Sequence, residues 1–332
     1  MHHYTLLFLL LPIAICLASC ATSVERRATV PPTAEDRAVL QRLAQARDAA
    51  QGLPQARELF NNLQSEQVQQ HLAWLRGETP ATDTERDRAR AAVRGMVRAL
   101  EAAPAWQPAP VHRIAARRGE ITIDGSIDES AWQDAAPLEL RYAVQADQAV
   151  EPPYAEARLL WDEQYLYAAF DVPDDAIVAP PMPRDANVYT QDCVELFLMP
   201  DRRFGVYWEL NVSPSGAVLD QLCSKYQQQR HSYCVKAANI KRLRHAARVH
   251  DGDSGEGQAR PAGYTVEIAV PFDQLPGFDE GPYAGRRMWL LAARAEREGA
   301  DGPLRFHSHA QMLGSFHNIW TLPRVELAGP SD

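Results

Sequence analysis

The sequence predicts a mainly β protein: an antiparallel β-sandwich preceded by a small α-helical segment. Three observations carry this. From about residue 113 onward, short runs rich in Val, Ile, Tyr, Phe and Trp recur between Gly, Pro, Asp and Asn, the pattern of many short strands joined by turns. Between residues 33 and 102, apolar side chains recur at helical spacing in an Ala/Arg/Gln/Glu/Leu background. Residues 103–112 (APAWQPAPVH) separate the two textures, and proline there removes helix donors and favours extended chain.

The 332 residues suffice for two modest units. The net charge of −9 divides unevenly. Residues 21–102 carry +1, which leaves −10 on the rest. An acidic chain of this kind lacks the basic footprint that nucleic-acid binding needs.

In order along the chain, the first element is a leader. Leu6–Leu17 is apolar apart from Pro12, and no charge precedes Glu25. The run is short for a membrane-spanning helix and reads as a secretory signal peptide, residues 1–19. It ends in Leu17-Ala18-Ser19-Cys20, which resembles the bacterial lipobox. That resemblance implies cleavage before Cys20 and acylation of its thiol. Ala21, not Asp, follows, as in lipoproteins sorted to the outer membrane. Residues 20–34 are then a tether. Residues 35–102 are a helical stalk of three helices: one capped by Thr33, one carrying Leu59 to Leu75, and one opened by a Thr82/Glu85 capping box. This stalk is a spacer, with an envelope protein as a candidate partner.

The β-rich part is expected over residues 113–328. Strands are predicted at Ile121–Ile123, Ala155–Trp161, Tyr165–Val172, Cys193–Met199, Gly205–Val212, Ala217–Leu222, Ile240–His250, Tyr264–Val270, Met288–Ala295 and Val325–Leu327. Short helices are expected at Glu129–Asp134 and Phe272–Leu275. Trp132 and Trp161 read as core residues.

Chemistry-bearing patterns are few. There is no G-x-S-x-G, H-E-x-x-H, P-loop or helix-opening G-x-G-x-x-G, so no catalytic residue is assigned. His307 and His309 with His317 lack a Cys or acid at a diagnostic distance, so no metal site is assigned. Cys223 and Cys234 flank a polar stretch and are expected to pair as a disulfide in an oxidising envelope. Cys193 reads as a buried free thiol.

Five stretches in the β-rich part agree, in order, with one family. They are Ile123-Asp124-Gly125-Ser126-Ile127-Asp128-Glu129-Ser130-Ala131-Trp132, Ala157 to Tyr167, Gln191-Asp192-Cys193-Val194-Glu195-Leu196-Phe197-Leu198, Gly263 to Pro271, and Trp289 to Glu296 with the C-terminal return. Over residues 113–328 the chain resembles the family 9 carbohydrate-binding modules and their DOMON-like relatives. The resemblance implies a sugar site in which aromatic rings stack on the C–H faces of the sugar and polar groups bond its hydroxyls. It places the stacking rings at Tyr189 and at Phe316, with Trp320 near, and polar partners at Glu195 and Asn211. Glu209 stands where the family has Arg, and Arg294 is a candidate replacement donor. It also implies that structural calcium can be held near Asp124 and Asp128.

The expected function is therefore lipid-anchored, non-catalytic glycan binding that supports polysaccharide recognition or breakdown at the cell envelope, probed by oligo- or polysaccharides. No cofactor is expected. Three alternatives stay open. One is a haem-binding redox carrier, with Met182, Met199, Met288, Met312 and the late histidines as candidate ligands. The second is an accessory domain of a glycoside hydrolase system. The third is a protein-binding surface lipoprotein.

Overall fold

The computed structural model describes residues 29–144, 152, 154–225, 233–252 and 261–329. The leader and Cys20 lie outside the described residues. Among the described residues no helix is long and apolar enough to cross a membrane.

Among the described residues four α-helices come first: α1 (Ala34–Ala50), α2 (Arg57–Leu63), α3 (Glu66–Arg76) and α4 (Asp83–Ala102). Two capping boxes open α1 and α4. Thr33 Oγ1 accepts from Asp36 N while Asp36 returns a carboxylate to Thr33 N, and Thr82 and Glu85 do the same. Asp36 is buried and receives Arg86 at 3.0 Å and Arg90 at 2.7 Å, both from α4. This cross-link, with Val39, Leu43, Leu72, Val93 and Val97, holds the helices as one packed unit. The expected single helix through Leu59–Leu75 is two helices. Ser65 interrupts it because its hydroxyl accepts from Val68 N and caps α3.

Among the described residues fourteen strands follow: β1 (His112–Ala116), β2 (Pro137–Glu139), β3 (Tyr142–Ala143), β4 (Glu156–Trp161), β5 (Tyr165–Pro173), β6 (Cys193–Met199), β7 (Val206–Val212), β8 (Val218–Ser224), β9 (Tyr233–Val235), β10 (Arg244–His250), β11 (Gly263–Pro271), β12 (Arg287–Arg297), β13 (Leu304–Ser308) and β14 (Arg324–Leu327). Their main path runs β10-β11-β5-β4-β1-β14-β12-β6-β7-β8-β9. The expected antiparallel sandwich is corrected in one respect. β1 pairs in parallel with β14 through residues 112–114 and in parallel with β4 through residues 115–116. One strand thus stitches two antiparallel halves into a single curled, mixed sheet.

The inner faces of the two halves meet in the main core. Alternate residues supply it: Leu166, Ala168, Phe170 and Val172 from β5, Val194, Leu196 and Leu198 from β6, and Trp208, Leu210 and Val212 from β7. Trp161 and Trp132 are buried. Their indole N–H groups donate to Ala328 O and to Glu267 Oε1.

Two further expectations are corrected. Ile121–Ile123 is not a strand, because side chains take its backbone donors: Thr122 N donates to Glu129 and Asp124 N to Glu267. The strand expected from Ile240 starts at Arg244, because Ile240 N is bound by the buried Asp220 carboxylate at 2.5 Å.

The helices lie against the outer face of the β6–β7–β12 half. Leu313, from the return segment before β14, completes the helical core. Trp106 Nε1 donates to Gln311 O, and Asn318 Nδ2 to Gln55 O. At Gly314 the left-handed φ of +80° favours glycine, and a Cβ there would stand 2.5 Å from Leu59 Cδ2 and push that methyl aside.

Candidate functional site

Strand parity sets the site. On β6 and β7, the residues out of step with the core face the helices: Glu195 and Phe197, then Tyr207, Glu209 and Asn211. Glu195 stands opposite Asn211, and Phe197 opposite Glu209. On β8, Gln221 and Cys223 continue the same face beside Glu209 and Tyr207. The 3₁₀ turn Val188–Thr190 brings Tyr189 to one end of this face. The return segment brings Phe316 and His317 to the other.

Of these, Tyr189, Glu195, Phe197, Glu209, Gln221, Phe316 and His317 line a cleft of about 890 Å³, with Glu58 and Asn62 of α2, Lys225, Lys236, and Arg305 to His307 of β13 completing the walls. Two other clefts, of about 340 and 680 Å³, lie between the helices and the 311–314 loop and over the outer face of β4, β5 and β11. The largest of the three is the candidate because it gathers several aromatic rings around the buried Glu195 carboxyl, whose Oε1 lacks a hydrogen-bond partner among the described residues.

Glu195 is 2% exposed, and its Oε1 has no hydrogen-bond partner among the described residues. Burial, with negative Glu209 nearby, pushes its carboxyl well above the usual range. The protonated form is favoured, which gives a donor as well as an acceptor. Glu209 is held differently. Gln221 Nε2 donates to it at 2.8 Å and Asn211 Nδ2 at 3.1 Å. His317 Nε2 stands 3.9 Å away, while its Nδ1 meets the Tyr207 hydroxyl at 2.7 Å. The floor therefore sets a neutral acid beside a carboxylate fixed by two amides. Burial, then the charge of Glu209, raise the Tyr189 phenol above its ordinary value, so the hydroxyl stays protonated at neutral pH.

Aromatic rings form the rest of the surface. Phe316 is 6% exposed and packs edge-on against Phe197 at 5.7 Å and Phe306 at 5.9 Å. Tyr154 stacks on His307 at 3.5 Å. His307 is driven down to about 3, chiefly by burial, and is uncharged at neutral pH. An apolar ring surface over neutral donors and acceptors suits an uncharged ligand with an apolar face and a hydroxyl edge.

Of the residues singled out in the sequence, the structure brings Tyr189, Glu195 and Phe316 into the cleft, with Asn211 beneath it. Two do not join them. Arg294 lies in step with Met288, Leu290 and Ala292, so it faces the inter-sheet core. There it donates to Tyr154 O at 2.9 Å and to Asp174 at 3.1 Å, tying the two halves together. Trp320 lies outside the cleft lining, with the guanidinium of Arg57 4.7 Å and that of Arg202 5.7 Å from its ring.

Cys223 and Cys234 form a disulfide beside Glu209, at the cleft edge. Asp124 and Asp128 lie apart, in the opening turn, where Asp124 Oδ1 accepts from Ser126 N. Met288 packs in the inter-sheet core, and Met199 and Met312 in the outer apolar cluster.

Sequence reasoning missed Gln221, Lys225, Tyr154 and α2 as contributors. The strand alternation carried a signal for Gln221. No local signal marked the others.

Residues 123–302, more than half of the chain, match the family described as carbohydrate family 9 binding domain-like. The chain is 34% identical over 157 residues to endo-1,4-beta-xylanase C of Paenibacillus barcinonensis; the match covers 47% of this chain and 12% of that enzyme's length. Among solved structures, a putative carbohydrate-binding protein from Bacteroides uniformis superposes with a TM-score of 0.50 at 14% identity, covering 65% of this chain and 99% of that one. A family 9 module from Caldicellulosiruptor kristjanssonii in complex with cellotriose gives 0.46 at 19% identity, covering 66% and 95%.

Proposed function

The chain belongs to the carbohydrate family 9 binding domain-like family, and from this premise we propose that its 890 Å³ cleft binds an uncharged glycan without transforming it. One observation carries the reading. The exposed part of Tyr189 and the unpartnered carboxyl of Glu195 open into one cleft. A sugar supplies the complement of each, a C–H face and a hydroxyl edge. Glu209, with Asn211 and Gln221 behind it, adds a fixed acceptor. A buried carboxylate at the floor disfavours uronates and other anionic sugars.

The leader and Cys20 support a lipid-anchored protein at the cell envelope, with residues 21–28 as part of the tether. Sorting to the outer membrane follows from Ala21. In that setting the glycan is an envelope or extracellular polysaccharide, and binding supports its recognition or breakdown by separate enzymes.

Isothermal titration of the chain from Ala21 onward with cello-, xylo- and manno-oligosaccharides tests the site. At least one series binds, and Tyr189→Ala weakens it about tenfold or more, since each tenfold is about 1.4 kcal/mol and ring stacking is of that order. Glu195→Gln keeps most of the affinity, because Gln preserves a neutral donor and acceptor, whereas Glu195→Leu loses it. Absence of heat with every series, or parental affinity in Tyr189→Ala, overturns the reading.

A further inference from the structure

We propose that α2 is a working wall of the binding cleft and that Asn62 bonds the bound glycan, so that the helical segment, not the sheet alone, sets which sugar is preferred. This rests on the glycan reading above.

Three observations carry it. First, α2 is locked to the cleft. Lys225 Nζ, itself buried, bonds the buried Glu58 carboxylate of α2 and also donates to His317 O at 3.1 Å. Gln55 O, just before α2, accepts from Asn318. Leu59 closes on Gly314 so tightly that a side chain at that glycine would collide with it. The loop held in these ways carries Phe316 and His317, which line the cleft.

Second, Asn62 follows Glu58 by four residues, one turn along the same helix face. Anchoring Glu58 at the cleft therefore delivers Asn62 to it as well, and both line it. Third, the Asn62 side chain makes no hydrogen bond to any described residue; it is the backbone carbonyl that accepts from Ser65 N. The other floor amides, Asn211 and Gln221, are engaged by Glu209. Asn62 is the wall amide left with donors and an acceptor for a ligand. An amide of this kind reads the position of a hydroxyl, which is what distinguishes one neutral sugar from another.

The region matched to the family, residues 123–302, does not contain α2. The preference of this protein is therefore built partly from a helix outside the module itself.

The test is titration of the full mature chain and its Asn62→Ala variant with the same cello-, xylo- and manno-oligosaccharide panel, beside Tyr189→Ala. Expected is a threefold to tenfold weakening for the best ligand, the scale of one net hydrogen bond. A compressed ratio between the best and second-best series is also expected, with an unchanged melting temperature because no internal bond is lost. A second variant, Asn62→Trp, fills the wall and abolishes binding. Parental affinities and ratios in Asn62→Ala, with Tyr189→Ala still impaired, overturn the proposal and leave the glycan reading standing. A weakening matched by a fall in melting temperature also overturns it. Failure of the parent to bind any series removes both.

Discussion

The ion pair between Glu58 and Lys225 gives the sharpest quantitative expectation. Their side chains are 3% and 6% exposed, so this is a buried pair, with little solvent screening. Replacing Glu58 by Ala leaves the ammonium buried with the carbonyl of His317 as its remaining partner among the described residues. Breaking one half of such a pair costs about 3–5 kcal/mol. At roughly 2 °C per kcal/mol for a chain above 150 residues, the melting temperature falls by roughly 6–10 °C. Burial already lowers the Lys225 pKa, with Glu58 opposing; without Glu58 it drops further. Between that lowered folded pKa and the ordinary lysine value of 10.5 the unfolded chain then binds more protons than the folded one, so the deficit shrinks as pH rises through that window. The double variant Glu58→Leu with Lys225→Met removes both charges and regains most of the loss. Urea unfolding followed by tryptophan fluorescence, from pH 7 to 10, measures all three. A loss under about 1 kcal/mol in Glu58→Ala, the scale of a solvent-screened surface pair, refutes the reasoning.

Two other expectations concern the opening turn and the anchor. The Glu267 carboxyl accepts from Asp124 N, Gly125 N and Trp132 Nε1, yet burial raises it from 4.5 to about 7. A raised folded pKa contributes stability that is complete below 4.5 and lost as pH rises through 7, up to about 3 kcal/mol at 1.4 kcal/mol per unit; urea midpoints across pH 4–8 show this slope in the parent and not in Glu267→Gln. Acylation of Cys20 is expected to appear as a lipid-modified N-terminal peptide in mass spectrometry of the membrane fraction, and Cys20→Ala to release the protein; an unmodified Cys20 in a cleaved chain refutes the anchor.

Much of the local structure was legible. Thr33 and Thr82 announced two helix starts because capping depends on residues three apart. The β7 alternation of Trp208 and Leu210 against Glu209 and Asn211 declared which face is buried. β12 declared nothing of the kind. Met288, Leu290 and Ala292 alternate with Trp289, Leu291 and Ala293, and both faces are covered. Its parity therefore could not be read, and nothing local marked Arg294 as facing the inter-sheet core. β1 was missed for a related reason. Its five residues carry a weak strand signal, and its strand character comes from partners more than 40 residues away in sequence.

By itself, the sequence determined the mainly β and helical texture, the capped helices, and the agreement of Glu195 and Asn211 with one family pattern. These depend on short-range period and composition. Only the tertiary structure decided that the halves join into one curled sheet, that the helices dock on it, and that Tyr189, Glu195, Glu209, Lys225 and Phe316 surround one cleft with α2. Those placements arise from strand register and from a buried charge pair 167 residues apart in sequence, and no local pattern encodes a distance of that kind.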